Sequence, residues 1–218
     1  MKGKRVLVTG ASSGIGFQIA SDFLKAGASV GAHFRNDDEG VRRLSQHTTS
    51  GEYEVFQADF SHSADVHRLW GEFLDWRGGI DVLVNNAAEA ASPLPLEELS
   101  EEAWDATFQI NTKAPFLLSR AALECMKTQG SGRIINISSI GVKFGGGITT
   151  VHYSASKAAL EAITRSFAKA GAPFNILVNA IQAGVTDTPM HVKIGRYDLS
   201  DRIEMIPLKR LANPKEIS

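Results

Sequence analysis

What this chain has little of sets the first limits. One cysteine, Cys125, in 218 residues excludes an intrachain disulfide and a multi-cysteine zinc site, and no metal centre is expected. A lone thiol reads instead as a small hydrophobe on a helix face, and a reducing compartment fits best. An excess of charge of one sign is also missing. Lys and Arg number 23 against 24 Asp and Glu, a formal charge of −1, which argues against nucleic acid or an acidic membrane as a partner. Long hydrophobic runs are absent too. The basic start Met1-Lys2-Gly3-Lys4-Arg5 leads only into Val6-Leu7-Val8 before Thr9-Gly10 interrupts it, too short for an export signal. Nothing approaches the roughly 20 apolar residues of a membrane span, so a soluble, cytoplasmic protein is expected. At 43% hydrophobic and 22% charged residues, the composition is that of one globular domain over residues 1–218.

What is present is an alternation. Short β-branched runs at Arg5 to Thr9, Ser29 to Phe34, Tyr53 to Gln57, Val82 to Asn85, Arg133 to Ser138 and Asn175 to Ala180 read as strands, most of them apolar throughout. Between them Ile15, Ile19, Phe23 and Leu24, then Val66, Leu69, Trp70 and Phe73, then Phe116, Leu117, Ala121 and Leu123 recur at helical spacing. Strand and helix in turn predict an α/β protein with a doubly wound parallel sheet and helices on both faces. The stretch from Ala87 to Pro95 and the run Gly145-Gly146-Gly147 read as loops beyond strand C-terminal ends, where such sheets bind ligands.

Directly after the first strand comes Thr9-Gly10-Ala11-Ser12-Ser13-Gly14-Ile15-Gly16, then a helix. Gly10 allows a tight turn out of the strand, Gly14 and Gly16 allow backbone to approach a pyrophosphate, and the new helix aims free amides at it. The Gly-x3-Gly-x-Gly spacing differs from the GxGxxG fingerprint, and a plain glycine-rich turn is the competing reading. At the end of the second strand an acid would accept from a free ribose 2′-hydroxyl, whereas arginine would meet a 2′-phosphate. Phe34 stands where the acid would be and Arg35 follows, which favours NADP, with NAD as the alternative; a solvated arginine paired to Asp37 or Asp38 is the rival reading.

Tyr153-Ser154-Ala155-Ser156-Lys157 opens a helix, and residues at i and i+4 share a helical face. An ammonium about 5 Å from a phenol, at an effective dielectric near 20, favours the phenolate by roughly 3 kcal/mol, or about 2 pKa units. Tyr153 is therefore expected to be lowered toward neutral pH by Lys157 and to serve as an acid or base.

These motifs together resemble those of the classical short-chain dehydrogenases/reductases over essentially the whole chain, and are similar to those of the 3-oxoacyl-carrier-protein reductases. Thr9 to Gly16 matches the family's TGxxxGIG turn, Asp59-Phe60 its adenine-contacting pair, Asn85-Asn86-Ala87 the start of its NNAG motif, and Tyr153 to Lys157 its YxxxK. Asn111 falls at the family's helix asparagine, and Ile135-Asn136-Ile137-Ser138-Ser139 looks like its catalytic-serine strand. Ser139, 14 residues before Tyr153, is the candidate serine, with Ser138 the alternative. The resemblance implies a Rossmann-type domain that moves hydride between a nicotinamide and a carbonyl or secondary alcohol. Tyr153 would be the acid, Ser139 would hold the carbonyl oxygen, Lys157 would hold the nicotinamide ribose, and Asn111 would anchor a proton-relaying water. Gly10, Ser12, Ser13, Gly14, Ile15, Gly16, Arg35, Asp59, Phe60, Asn86, Ala87, Thr186 and Thr188 would contact the cofactor with Tyr153 and Lys157. It also implies a homodimer or homotetramer packed through the helices of Asn111 and Tyr153. A non-catalytic NAD(P)-binding sensor or scaffold is the rival function.

Some positions depart from the family pattern. Ala88 replaces the NNAG glycine and is tolerable only if its φ is negative; Gln182-Ala183-Gly184 replaces a Pro-Gly lead-in; Pro115 sits four residues after Asn111 and should leave a carbonyl unpaired or bend the helix. Substrate choice is expected from the loop of about 188–208, with Ile140, Gly141 and the loop after Ala87 forming the other wall. There Lys193 and Arg196 read either as contacts for a carrier-bound acyl chain or as solubilising charges, and His191 as a rim histidine. Asn213 to Ser218 opens a further helix in the family, so the family's last helix and seventh strand are expected to be missing, through an incomplete C-terminus or a shortened chain.

Overall fold

The computed structural model describes residues 1–47, 52–89 and 93–218, so Ala90, Ala91 and Ser92 of the expected loop after Ala87 lie outside the described residues. Strands β1 (Arg5–Val8), β2 (Ser29–Phe34), β3 (Tyr53–Gln57), β4 (Val82–Asn85), β5 (Gly132–Ser139) and β6 (Ile176–Ala183) form one parallel sheet in the order β3-β2-β1-β4-β5-β6. The expected Rossmann-type doubly wound α/β architecture is the one observed. Strand order reverses between β1 and β4, and that switch point opens a crevice at the strands' C-terminal ends.

Both faces of the sheet are covered, which is why the strands are apolar throughout. Val6 and Val8 of β1 point into one core with Val30, Val82 and Val84, packed by Ile19, Ala20 and Leu24 of α1 (Gly14–Lys25) and Val41 and Leu44 of α2 (Glu39–Leu44). Leu7, Leu83, Ile134 and Val178 point into the other, with Val66, Leu69 and Phe73 of α3 (Ser63–Arg77) and Leu117, Leu118 and Leu123 of α5 (Ala114–Gln129). Cys125 lies on α5 as a partly buried neighbour of this second core. The remaining helices are α4 (Glu101–Phe108), the short α6 (Gly141–Phe144), the long α7 (Val151–Gly171), α8 (Met190–Lys193) and α9 (Ser200–Met205). Among the described residues no helix is long and apolar enough to cross a membrane.

β1 stops at Val8, one residue short of the expected Thr9, and β5 and β6 depart from the sequence reading for physical reasons. β6 begins at Ile176 because Asn175 takes a left-handed turn (φ 57°), and it continues to Ala183 because Gln182-Ala183 stands where proline would have interrupted the ladder. β5 lengthens with it, and the pairing Ser139↔Ala183 is the last rung.

Candidate active site

The loop after β1 and the loop after β4 press together at the switch point. A Cβ at Gly10, whose φ is +65°, would lie 2.8 Å from Ala87 Cα, and one at Gly16 would lie 2.2 Å from the Gly10 carbonyl oxygen. Asn86 Nδ2 donates to the carbonyls of Thr9 (2.9 Å) and Gly10 (3.0 Å), while the amides of Asn86 and Ala87 both donate to Thr9 Oγ1 at 3.0 Å. Ser12 carries the contact with α2, where a Cβ at Gly40 would meet the Ser12 carbonyl at 1.7 Å. Ser13 caps α1 without a side-chain hydrogen bond, and the amides of Gly14, Ile15 and Gly16 have no acceptor among the described residues. Those amides and the helix dipole offer what a phosphate needs. Ala88 keeps a negative φ, so its methyl group does not strain the loop.

Gly16→Ala has nowhere to put its methyl, since Asn86 Nδ2 stands 2.3 Å from that position as well. The variant is expected to lose about 2 kcal/mol of stability by overpacking, read as a lower denaturation midpoint at an unchanged m-value. An unchanged midpoint would show that the turn relaxes freely.

A histidine that sequence reasoning passed over buttresses this turn. The Gly10 amide donates to His33 Nδ1 (3.1 Å), and His33 Nε2 lies 3.0 Å from the Ala58 carbonyl. An amide can only donate and a carbonyl can only accept, so the ring is the neutral tautomer with its hydrogen on Nε2. Its ring stacks on Phe60 with centroids 4.1 Å apart, and burial brings its pKa down to about 4. The signal was available: a histidine in the buried strand Ser-Val-Gly-Ala-His-Phe must find hydrogen-bond partners. Because the Phe60 side chain is committed to this stack, any ligand contact from Phe60 falls to its main chain.

β5 sorts its two serines by face. Ser138 is buried and donates to Glu161 Oε1 of α7 (2.7 Å), while Ser139 faces Tyr153, shares a hydrogen bond with it and accepts from the Gly141 amide at 3.1 Å. Lys157, one turn beyond Tyr153, is fully enclosed; its Nζ donates to the Ile137 carbonyl (2.8 Å) and lies 5.9 Å from the Tyr153 ring centre. The expected lowering of the phenol by Lys157 is corrected here. Burial raises the Tyr153 phenol above its ordinary value, with the Ser139 hydrogen bond pulling the other way, and burial also brings the ammonium down to about 8. Desolvation thus outweighs the through-space attraction, and one of the ammonium's three hydrogens goes to the Ile137 carbonyl.

Asn111 sits in a π turn, Gln109–Lys113, between α4 and α5. Its side chain is saturated: Oδ1 accepts from the Glu89 amide (2.8 Å), and Nδ2 donates to the Glu89 carbonyl (3.0 Å) and Ser156 Oγ (3.1 Å). The main-chain carbonyl of Asn111 is the group left to accept from a water. Four residues on, Pro115 has no amide hydrogen to give that carbonyl, and the wide turn absorbs the proline without breaking the helical run.

Arg35 stands at the outer end of the crevice, half-exposed, with Nη1 3.9 Å from Glu89 Oε2. The rival partners are engaged elsewhere: Asp38 pairs with Arg42 at 2.8 Å, and Asp37 accepts from the Glu39 amide. The Asp59 carboxyl, held below its ordinary value mainly by the Ser61 amide, also feels Arg35. Thr186 is buried and donates to the Gly184 carbonyl (3.0 Å), and Thr188 closes over the glycine turn, its Cγ2 3.0 Å from where a Gly14 Cβ would lie. His191 meets the Thr186 carbonyl through Nε2 at 2.9 Å, a rim position.

A phosphate-sized turn and a paired tyrosine and serine sharing one sheet edge place the chain among dinucleotide-dependent dehydrogenases and reductases. It belongs to the short-chain dehydrogenase family, whose model matches residues 4–198. As a member it is an NAD(P)-dependent oxidoreductase of alcohol and carbonyl groups. It is 34% identical over 217 residues to a 3-oxoacyl-acyl-carrier-protein reductase of Chlamydia pneumoniae, covering 99% of this chain and 87% of that one. It is 36% identical over 220 residues to an acetoacetyl-CoA reductase of an Acinetobacter species, covering 99% of this chain and 87% of that one. Among solved structures, a 3-ketoacyl-acyl-carrier-protein reductase from Brucella melitensis complexed with NADH superposes with a TM-score of 0.88 at 28% identity, over 98% of this chain and 87% of that one.

Proposed function

We propose that the protein is an NADP(H)-dependent reductase of carbonyl compounds, of 3-oxoacyl type or acting on small ketones, and that it works in the cytoplasm. The observation that carries this reading is the Ser139–Tyr153 hydrogen bond over the enclosed Lys157, beside the glycine turn. The dinucleotide, when bound, supplies or takes the hydride. As negative charge grows on the carbonyl oxygen, Tyr153 Oη delivers a proton to it and Ser139 Oγ holds it. A phenol raised by burial keeps its proton at neutral pH, which favours the reducing direction. Lys157 would hold the nicotinamide ribose hydroxyls and pass a proton onward, and water at the Asn111 carbonyl would restore it. Gly10, Ser12, Ser13, Gly14, Ile15 and Gly16 would hold the pyrophosphate, Asp59, Phe60, Asn86 and Ala87 the adenosine half and neighbouring ribose, and Thr186 and Thr188 the nicotinamide amide. The family resemblance supports a homodimer or homotetramer built on the helices of Asn111 and Tyr153.

Arg35 supports the choice of NADP, because its ion pair with the half-exposed Glu89 is long and weak. The test is oxidation of NADPH and of NADH over 3-oxoacyl thioesters, quinones, diketones and sugars. At least about tenfold higher kcat/KM with NADPH is expected, the worth of one charge-assisted contact. Equal values would remove the Arg35 assignment. NADPH binding without turnover on any substrate would point to a non-catalytic sensor.

A further inference from the structure

Two guanidinium groups stand at the mouth of the site without a counter-ion. Arg196 follows α8 and Arg202 lies on α9, both partly buried, and among the described residues neither side chain has an ion pair or a hydrogen bond. Other arginines of this chain do find carboxylates: Arg42 pairs with Asp38, Arg68 with Asp65 and Glu72, and Arg210 with Glu216. The nearby Asp198 is spent on the Ser200 amide and hydroxyl.

Arg202 reaches the opposite wall. A Cβ at Gly147 would lie 3.9 Å from Arg202 Nη2, and Gly147 belongs to the turn that carries β5 into α7. That turn packs on the start of α7 and on Gly141, which borders Ser139: a Cβ at Gly146 would meet Ser154 Oγ at 1.9 Å, and one at Gly141 would lie 3.8 Å from Gly146 Cα and 3.3 Å from Ser139 Oγ. Burial, together with the positive charge of Arg202, lowers Arg196 below its ordinary value, so the two cations are close enough to repel. Like charges held together and partly desolvated with no anion between them are unfavourable until an anion arrives. Exposed Ile148, next to Gly147 in the chain, and exposed Val192, Tyr197 and Met205, on the segment that carries the two arginines, offer apolar surface for a stem.

We propose that Arg196 and Arg202 clamp an oxyanion, phosphate or carboxylate, carried by the carbonyl substrate at the end remote from the reacting carbon. This deepens the reductase reading and rests on it. The pair acts on specificity, selecting substrates with an anionic tail and drawing the α8–α9 segment against the Gly145-Gly146-Gly147 turn.

The experiment compares matched substrates at saturating NADPH. Acetoacetyl-4′-phosphopantetheine against acetoacetyl-pantetheine isolates phosphate, and 7-oxooctanoate against its methyl ester isolates a carboxylate remote from the reacting carbon. In wild type at least one anionic member is preferred, and Arg196→Gln and Arg202→Gln each lower that preference ratio about tenfold, mainly through KM. Ratios unchanged in both variants, or no anionic preference in wild type, overturn the clamp while leaving the reductase reading intact. Calorimetric titration of the NADPH-loaded protein with 4′-phosphopantetheine and with octanoate separates the two ideas. Binding lost in the double variant supports the clamp even where no carbonyl is reduced, and binding equal in both proteins, or absent from both, overturns it.

Discussion

Tyr153→Phe is expected to lower kcat about a thousandfold, or roughly 4 kcal/mol of transition-state stabilisation, while NADPH affinity stays within twofold. The ring remains, so packing against α7's neighbours is kept, and only the hydroxyl that shares a hydrogen bond with Ser139 is removed. Loss of that bond costs stability on the order of 1 kcal/mol, too little to unfold the chain. Steady-state reduction of a substrate found in the NADPH screen measures the first quantity, and fluorescence titration of NADPH the second. A variant that keeps a tenth of the wild-type rate would take the proton from elsewhere and sink the assignment. A variant that loses cofactor binding in step with rate would make Tyr153 a positioning group.

The second large effect is a dependence of stability on pH set by His33. The free imidazole takes its proton near 6.5, but the folded protein holds the ring neutral down to about 4. Between those values the unfolded chain binds a proton that the folded chain refuses, so stability falls as pH falls through the window and is fully present above it. The shift is worth about 3 kcal/mol, most of it lost by pH 4.5. Protonation would put a hydrogen on Nδ1 against the Gly10 amide, so donor would face donor where the glycine turn is held. His33→Gln keeps one acceptor and one donor without titrating. Chemical denaturation from pH 7.5 to 4.5 should show the wild type losing about 3 kcal/mol more than the variant. His152, also lowered by burial, contributes the same sign in both proteins and cancels in the comparison. Parallel slopes would place the sensitivity elsewhere.

Much of this architecture can be read from spacing alone, because parallel strands covered on both faces must be apolar throughout and crossover helices must be periodic. Val6-Leu7-Val8 and the Ile19 and Leu24 face of α1 show the rule directly. The proposed reacting groups were legible for a different reason: Tyr153 and Lys157 are one helical turn apart, so local geometry alone brings them together. What was not legible depended on contacts distant in sequence. Ser139 was picked over Ser138 by its interval to Tyr153, without sight of the β5 faces that separate the two, and the role of His33 needed the Ala58 carbonyl, 25 residues away. The Tyr153 phenol was misjudged because a Coulomb attraction can be written from spacing, whereas desolvation requires knowing what encloses the pair. The clamp arginines were half-visible, since Arg196 stood out while Arg202 gained meaning only against Gly147.

The neighbouring serines of β5 carry one more implication. Ser138 and Ser139 have the same functional group and point to opposite faces, so which of them meets Tyr153 is decided by parity along the strand. Eight rungs, from Gly132↔Ile176 to Ser139↔Ala183, fix that parity. Deleting one residue upstream in β5 would leave the serine pair intact in composition yet exchange their destinations, sending one hydroxyl into the Glu161 contact and stranding the other. Strand registration here acts as a selector of chemistry, and the long β5–β6 ladder is its lock.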